Sequence, residues 1–269
     1  MTANHSHQLV KPIFSTIYAN RELIQTFAFR DLIVKYRNSL LGYFWAVIPQ
    51  IATALLFTLL ASRRVFNMGQ TELPYLIHVL WSISLWQLFA STIMNSQNSL
   101  KLSGNLILKV NFEKVTIVIA SIVPSILDFI IRLLPIIIAC AWYSYAPGLT
   151  VFLLPVIIVF VVMMALGIGL LLSGVNLVIS DFGNAVSVLL TFGMFMSPIF
   201  YPPPTSGLFV YVNTINPFSP LLIASQKFFA GTPLDNIAPL SFSILIAFGV
   251  FIIGWRFFYV AIPRIVERA

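Results

Sequence analysis

The stretch that decides the fold is VFLLPVIIVFVVMMALGIGLLL, residues 151–172, which contains no charged residue. It is apolar on every side, whereas the strands of a membrane barrel alternate between apolar and polar residues. About 20 apolar residues are enough for a helix to cross the hydrocarbon core of a bilayer. Because lipid offers the backbone no hydrogen-bond partners, a run of this kind must be helical. The stretch therefore predicts a membrane-spanning α-helix.

The whole composition agrees with this prediction. Of the 269 residues, 59% are hydrophobic and 9% are charged, whereas soluble domains carry about 25% charged residues. A soluble globular enzyme and a disordered chain are both excluded. The length leaves no room for a second soluble domain of about 100 residues. We predict an all-α integral membrane protein, with residues 1–269 forming one transmembrane domain and spans at about 40–61, 74–94, 115–142, 149–179, 185–201 and 238–260.

The distribution of positive charge predicts the orientation. With the N-terminus inside, most Lys and Arg residues fall in inner segments, and Arg63, Arg64 and Lys227 fall outside. Cytoplasmic loops are enriched in Lys and Arg, so six spans place both termini in the cytoplasm. The same enrichment explains the net charge of +7, and nucleic acid is not predicted as a partner.

Residues 12–37 precede the first span and show helical periodicity. Leu23, Ile24, Phe27 and Ala28 fall on one face, with Phe29 as an exception. This pattern predicts an amphipathic helix in the inner interface. The alternative is an ordinary basic segment beside the membrane.

Residues 205–231 contain two apolar pieces, Gly207–Ile215 and Leu221–Ala230, separated by a turn around Asn216-Pro217. Each piece is too short to span. The pattern predicts two short re-entrant helices before the last span; a surface loop with interfacial aromatic residues is the alternative.

Two charges, Asp128 and Arg132, lie within the third predicted span. They stand four residues apart on one helical face, with the acid first, which is the favourable order for pairing. Intramembrane charges are costly and usually face the protein interior. A self-neutralising pair that fixes packing and a charge that serves a pathway or a gate both remain open.

The segment 101–112 joins the second and third spans on the inner side and is unexpectedly apolar. Exposed apolar residues in a loop indicate a protein contact, and Lys101, Lys109 and Lys114 flank them. The alternative is that these residues begin the third span.

Motifs for catalysis and cofactor binding are absent from the sequence. There is no P-loop for ATP phosphates, and the single Cys140 and three histidines make no metal-binding pattern. We predict no catalytic residue, no metal and no cofactor bound by this chain.

Three stretches carry a resemblance to a known family: Arg30-Asp31-Leu32 with Lys35-Tyr36-Arg37, Ser39, Leu41-Gly42, Trp45 and Pro49; residues 105–112 (NLILKVNF); and residues 197–202 (SPIFYP) followed by Asn216-Pro217. In order and placement they resemble the ABC-2 type permeases that export O-antigen, capsular polysaccharide or teichoic acid. The chain departs from the family pattern at Glu113, where Pro is frequent, and at Ser180, where Arg is usual.

The resemblance implies a homodimer in the bacterial cytoplasmic (inner) membrane, with two copies of a separate ATPase subunit that carry ATP and Mg. It implies a lipid-linked glycan as substrate, alongside membrane lipids. It also implies an interface helix, a coupling helix at 101–112 and re-entrant helices before the sixth span. A drug or small-lipid efflux permease and an intramembrane glycosyl or acyl transferase are the alternatives. An efflux permease more often has a large outer domain after span one, and a transferase needs a catalytic cluster.

Each expected role falls on particular residues. Coupling to the ATPase is expected of Leu106, Ile107, Lys109, Val110 and Phe112. The interface helix and gate are expected to use Arg30, Asp31, Lys35, Tyr36 and Arg37. Aromatic rings stack on sugars, so Tyr43, Phe44, Trp45, Trp86 and Phe89 are candidates for lining the passage, with an ordinary interfacial belt as the alternative. The outer re-entrant segment is expected to depend on Pro198, Tyr201, Asn216 and Pro217.

Overall fold

The protein is described by a computed structural model that covers residues 13–37, 42–63, 71–104, 112–179, 181–204 and 207–266. All regular elements in these ranges are helical, so the all-helical prediction is confirmed. The first two helices are α1 (Ile13–Ala19) and α2 (Arg21–Tyr36). A 3-10 turn at Gly42–Ala46 then leads into α3 (Ile48–Ser62), and α4 is Tyr75–Leu102.

The remaining elements follow in chain order. They are α5 (Val115–Ala120), α6 (Val123–Trp142), a 3-10 turn (Leu149–Leu153), α7 (Leu154–Val178), α8 (Phe182–Met196), α9 (Leu208–Ile215), α10 (Phe218–Ala230) and α11 (Ala238–Val266).

Five helical segments in the described ranges are long and apolar enough to cross a membrane. They are Gly42–Ser62, Tyr75–Leu102, Val115–Trp142, Leu149–Val178 and Ala238–Ile262. Together they define a multi-pass membrane protein. The helix in the region of the predicted fifth span is α8, which has 15 residues. At 1.5 Å per residue it is about 22 Å long, shorter than the hydrocarbon core of about 30 Å.

Proline explains where α8 ends. The predicted span continued to residue 201, but the helix ends at Met196 and Ser197 is extended, with φ −96° and ψ 151°. The residue before a proline is disfavoured in helical conformation, and Pro198 follows. The apolar run therefore extends past Met196, where the helix ends.

Proline also interrupts the third apolar segment. The sequence predicts one span at 115–142, whereas the structure has α5 and α6 with a turn at Ser121 and Ile122 between them. Pro124 has no N–H to donate to the carbonyl of Ala120, which removes one hydrogen bond of a continuous helix. The two pieces meet at this turn, in the first third of the segment.

The centre of the fold is α4, which is mostly buried and packs against α3, α6 and α7. On its other side α7 packs closely against α11. Glycines permit these approaches: a Cβ on Gly254 would lie 2.3 Å from the carbonyl oxygen of Gly167, and one on Gly169 would lie 2.4 Å from Cβ of Ser96. The small residues of α7 therefore serve contacts within this chain, since small residues let membrane helices approach closely.

Helix α3 contacts the centre through polar contacts, one ring stack and the fully buried Ala54. The Nε2 of Gln50 donates to the carbonyl of Leu80 at 3.1 Å and to Oγ of Ser84 at 2.8 Å. Near the other end of α3, the ring of Phe57 stacks on Phe200 with centroids 4.0 Å apart. Most of the apolar surface of α3 remains exposed.

Candidate functional site

Helix α2, the predicted interface helix, docks on the rest of the protein through the side that its sequence predicts. Phe27 and Ala28 are buried and Leu23 and Ile24 are half-buried, whereas Phe29 is exposed. The exposed Phe29 is the residue that did not fit the apolar face. An apolar stripe of this kind gives the helix a defined orientation against its neighbours.

Contacts from α2 reach both sides of the predicted coupling segment. The rings of Phe27 and Phe112 lie 5.5 Å apart, and Nδ2 of Asn20 donates to Glu113 at 3.3 Å. On the other side, Arg30 reaches Oγ of Ser103 at 3.4 Å. The segment therefore begins and ends against the same helix.

Four of the residues predicted to couple to an ATPase lie outside the described residues: Leu106, Ile107, Lys109 and Val110. Phe112 is described and half-buried against α2. The coupling role of this group stays a prediction.

The predicted gate residues of α2 have different surroundings. Arg30 forms an ion pair with its neighbour Asp31 at 2.8 Å and places its guanidinium 5.0 Å from the ring centroid of Phe27. Lys35 forms an ion pair with another helix, Tyr36 ends α2, and Arg37 is exposed. Arg30 and Lys35 therefore connect α2 to other parts of the fold, at Ser103 and Asp128.

The intramembrane charges Asp128 and Arg132 have partners beyond their own helix. Oδ2 of Asp128 is 2.5 Å from Nζ of Lys35 in α2, and Nε of Arg132 donates to the carbonyl of Ala46 at 3.0 Å. Asp128 is 4% exposed and Arg132 is 8% exposed. The i to i+4 spacing indicated the shared buried face, but sequence reasoning missed the partner from α2 and the acceptor at the start of the first span.

The five aromatic residues proposed for a passage fall into two environments. Tyr43, Phe44 and Trp45 are exposed on the 3-10 turn at Gly42–Ala46. Trp86 and Phe89 are buried in α4, and both pack against Phe218 of α10, with centroids 5.0 Å and 4.9 Å away. The structure does not bring the two groups together.

Trp86 and Phe89 also line a cavity of about 580 Å³ between α4, α7, α8 and α9. The wall is mostly apolar, and Asn216 is its polar member. Asn216 is held in place because its Nδ2 donates to Oγ of Ser197 at 2.9 Å, while its Oδ1 accepts from the backbone of Phe218 at 3.0 Å. The cavity can take an apolar group with a single polar contact.

Two short helices, α9 and α10, occupy the segment predicted to re-enter the membrane, and the break between them falls at Asn216 and Pro217. Helix α10 lies along α4: Nε1 of Trp81 donates to Oγ of Ser225 at 2.9 Å, and Gln226 donates to Oγ of Ser82 at 2.9 Å. Sequence patterns gave no sign of these buried polar contacts.

The other residues predicted for this segment tie it to the end of α8. The carbonyl of Pro198 accepts from Gln226 at 3.0 Å. The hydroxyl of Tyr201 donates to the carbonyl of Met196 at 3.1 Å, and its ring packs against Phe209. The segment after α8 is therefore an ordered part of the fold.

A charged cluster lies where α10 ends. Nζ of Lys227 is 2.5 Å from Asp235 and 3.7 Å from Glu72. The hydrogen bond with Asp235 raises the pKa of Lys227 above its ordinary value, burial opposes this, and Glu72 adds to it. Among the described residues, no group of three or more His, Cys, Asp or Glu side chains could hold a metal ion.

These features define a class of protein: a multi-pass helical membrane protein in which a docked N-terminal helix forms an ion pair with a buried acid. Comparison with known families then gives the particular one. The ABC-2 type transporter model matches residues 22–230, so the chain belongs to the ABC-2 type transporter family. The resemblance inferred from the three sequence motifs is confirmed.

Individual relatives are similar over most of their length. An O-antigen export system permease protein RfbA from Klebsiella pneumoniae is 26% identical over 241 residues, covering 88% of this chain and 91% of the relative. A second RfbA from the same organism is 25% identical over 217 residues, covering 80% and 82%. An RfbA from Myxococcus xanthus is 24% identical over 231 residues, covering 83% and 86%.

Proposed function

We propose that this chain is the transmembrane permease subunit of an ATP-driven exporter that moves a lipid-linked polysaccharide across the bacterial cytoplasmic membrane. The observation that carries the proposal is the nearly end-to-end similarity to permeases named for O-antigen export. The sequence has no P-loop, which supports a separate ATPase subunit that carries ATP and Mg. Two copies of that subunit are proposed because the resemblance to the family implies them.

The size of the substrate supports a homodimer. The cavity at Trp86 and Phe89 has about 580 Å³ and a mostly apolar wall, which suits a small apolar group and is too small for a polysaccharide. Two copies of the chain would enclose a longer passage between them. Helices α3 and α8 offer mostly exposed apolar surface for such an interface, and the exposed rings of Tyr43, Phe44 and Trp45 offer stacking surfaces for sugars.

The topology follows from the charge distribution and from α10. We propose six crossings with α8 as the short fifth crossing, and both termini in the cytoplasm. Phe218 at the start of α10 packs on Phe89, about 21 Å along α4 from its first residue at 1.5 Å per residue. That is half of the length of α4, which has 28 residues and is about 42 Å long. Phe218 therefore lies beside the middle of a proposed span, which supports re-entrance of α9 and α10 from the outer side.

The docking site for the ATPase is proposed at residues 101–112. The double substitution Leu106→Asp and Phe112→Asp places charges in a protein contact, and an unpartnered buried charge costs several kcal/mol. We expect the permease to reach the membrane while ATPase recovery in detergent falls. Ile237→Asp, an exposed position before α11, is the matched control. Undiminished recovery with the double substitution would exclude this segment as the main docking site.

Deletion of the gene in its own bacterium tests the function. We expect surface glycan to disappear and lipid-linked glycan to accumulate in the inner membrane, and the intact gene to reverse both effects. Surface glycan is measured by lectin or antibody labelling of whole cells. Unchanged surface glycan together with increased retention of a dye such as ethidium would overturn the proposal in favour of small-molecule efflux.

A further inference from the structure

Two polar contacts from one face of α6 lie on either side of the connection between the interface helix and the first span. Asp128 holds Lys35, one residue before α2 ends. Arg132, one helical turn further on, holds the carbonyl of Ala46, where the 3-10 turn passes into α3. Residues four apart on a helix lie on the same face. One helix therefore fixes both sides of the connection between α2 and α3.

The first half of α2 and the residue before it contact a different part of the inner face. Asn20 contacts Glu113, and Phe27 packs on Phe112. Helix α5, which begins at Val115, also packs against α2. Between this inner block and α6 lies the turn at Ser121 and Ile122. Turns of this kind are where hinge motion is absorbed, and the contacts of Asp128 and Arg132 lie beyond it.

The chemistry of the two contacts makes them suited to transmitting movement. Helices that pack through apolar surfaces can slide past one another by small steps. The ion pair between Lys35 and Asp128 resists such a shift, because separation breaks a close contact of a carboxylate that is itself buried, and loss of a partner by a buried charge is costly. Hydrogen bonding of Arg132 to one particular carbonyl also fixes the register of α6 against the start of the first span.

We propose that Asp128 and Arg132 are positioning residues of the transport cycle. They hold the end of α2 and the start of the first span in fixed positions against α6. A displacement imposed on the inner face then moves α2, α6 and α3 together. This inference rests on the proposed function, since the displacement comes from the ATPase subunit. Asp128 acts through its contact with Lys35, and Arg132 acts through its contact with the carbonyl of Ala46.

The first test uses the permease purified with its ATPase in lipid nanodiscs. We expect Lys35→Met and Arg132→Met to retain ATPase binding and ATP hydrolysis, while export per ATP falls by about tenfold, within the ~5- to 150-fold range typical of coupling between sites. The charge exchange of Lys35→Glu with Asp128→Lys should restore part of the loss. Lys227→Met, which breaks the ion pair with Asp235 at the end of α10, is the matched control.

The second test needs no substrate. Spin labels are placed at two exposed positions, Thr26 in α2 and Leu55 in α3, and report the distance between the two helices. The chain also carries Cys140→Ser, and only a minority of protomers is labelled. We expect a narrow distribution both without nucleotide and after trapping with vanadate. Lys35→Met should broaden it, and the charge exchange should make it narrow again.

The outcomes separate the positioning role from other roles. Equal distance distributions in all variants would overturn the inference, as would reduced folded protein with unchanged export per ATP, the sign of a purely structural role. Because the side chain of Lys35 is 39% exposed, Lys35→Met remains testable if substitutions at Asp128 fail to fold. A complex that exports no glycan but shows the expected distance changes would contradict the proposed function and retain the positioning role.

Discussion

Adding a single methyl group at Gly254 is expected to destabilise the contact between α7 and α11. The Cβ of an alanine there would lie 2.3 Å from the carbonyl oxygen of Gly167 and 3.1 Å from its carbonyl carbon. Carbon–oxygen contacts in proteins are ordinarily about 3.3–3.6 Å, so the helices must separate by about 1 Å. Both obstructing atoms belong to the backbone, and no side-chain rotation can relieve the overlap.

The expected size of the effect follows from overpacking of a tight interface, which costs about 1–3 kcal/mol. For a protein of this length that corresponds to a fall in Tm of roughly 2–12 °C. The measurement is thermal unfolding of the purified protein in detergent, followed by tryptophan fluorescence, with recovery by size-exclusion chromatography. Gly254→Ala should lower both.

A matched control lies on the same helix. A Cβ at Gly249 would meet no atom within 4 Å, and alanine is the better helix former by about 1 kcal/mol. Gly249→Ala should therefore be neutral or slightly stabilising. If Gly254→Ala proves as stable as Gly249→Ala, the close approach of α7 and α11 is wrong.

Three further predictions concern other parts of the fold. Gln226→Leu removes the donor to a buried hydroxyl and a buried carbonyl and should lower stability by about 1–3 kcal/mol, measured by the same thermal assay. Asp235 raises the pKa of Lys227 above 10.5, so the ion pair between them contributes fully to stability below pH 10.5, and this contribution is lost as the pH rises through the raised pKa. Asp235→Asn should therefore reduce the fall in Tm over that alkaline range. In a chain lacking Cys140, an impermeant maleimide should label a cysteine at Asp235 in intact cells and should not label one at Glu22, and the reverse pattern would contradict the topology.

Continuous apolar runs made the helices predictable, because spacing and length are local properties of the sequence. The end of α8 is different: the run through Ile199 and Phe200 stays apolar, and Pro198 alone marks where the helix ends. The turn at Pro124 likewise depends on one missing N–H. Composition predicts that a segment is in the membrane, whereas single residues decide where its helix begins and ends.

The candidate site was less predictable because its contacts join distant parts of the chain. Spacing identifies Asp128 and Arg132 as neighbours on one face, but it cannot identify Lys35, which is 93 residues from Asp128. The aromatic residues show the same limit: Trp45 and Trp86 are alike as residue types, yet one is exposed and the other is buried against Phe218. Which environment each side chain has is decided by tertiary packing.

The burial of α4 also has a consequence for how the protein is made. This helix is the least apolar of the five long ones, and Ser82 contacts Gln226, which is synthesised 144 residues later. At about 5–20 residues per second, the ribosome takes roughly 7–30 s to add that length. For this period the polar face of α4 lacks the partners that cover it in the finished protein, and polar groups are costly in lipid. The second span should therefore remain beside the insertion machinery until α10 emerges, and nascent chains that stop before α10 should be degraded instead of accumulating in the membrane.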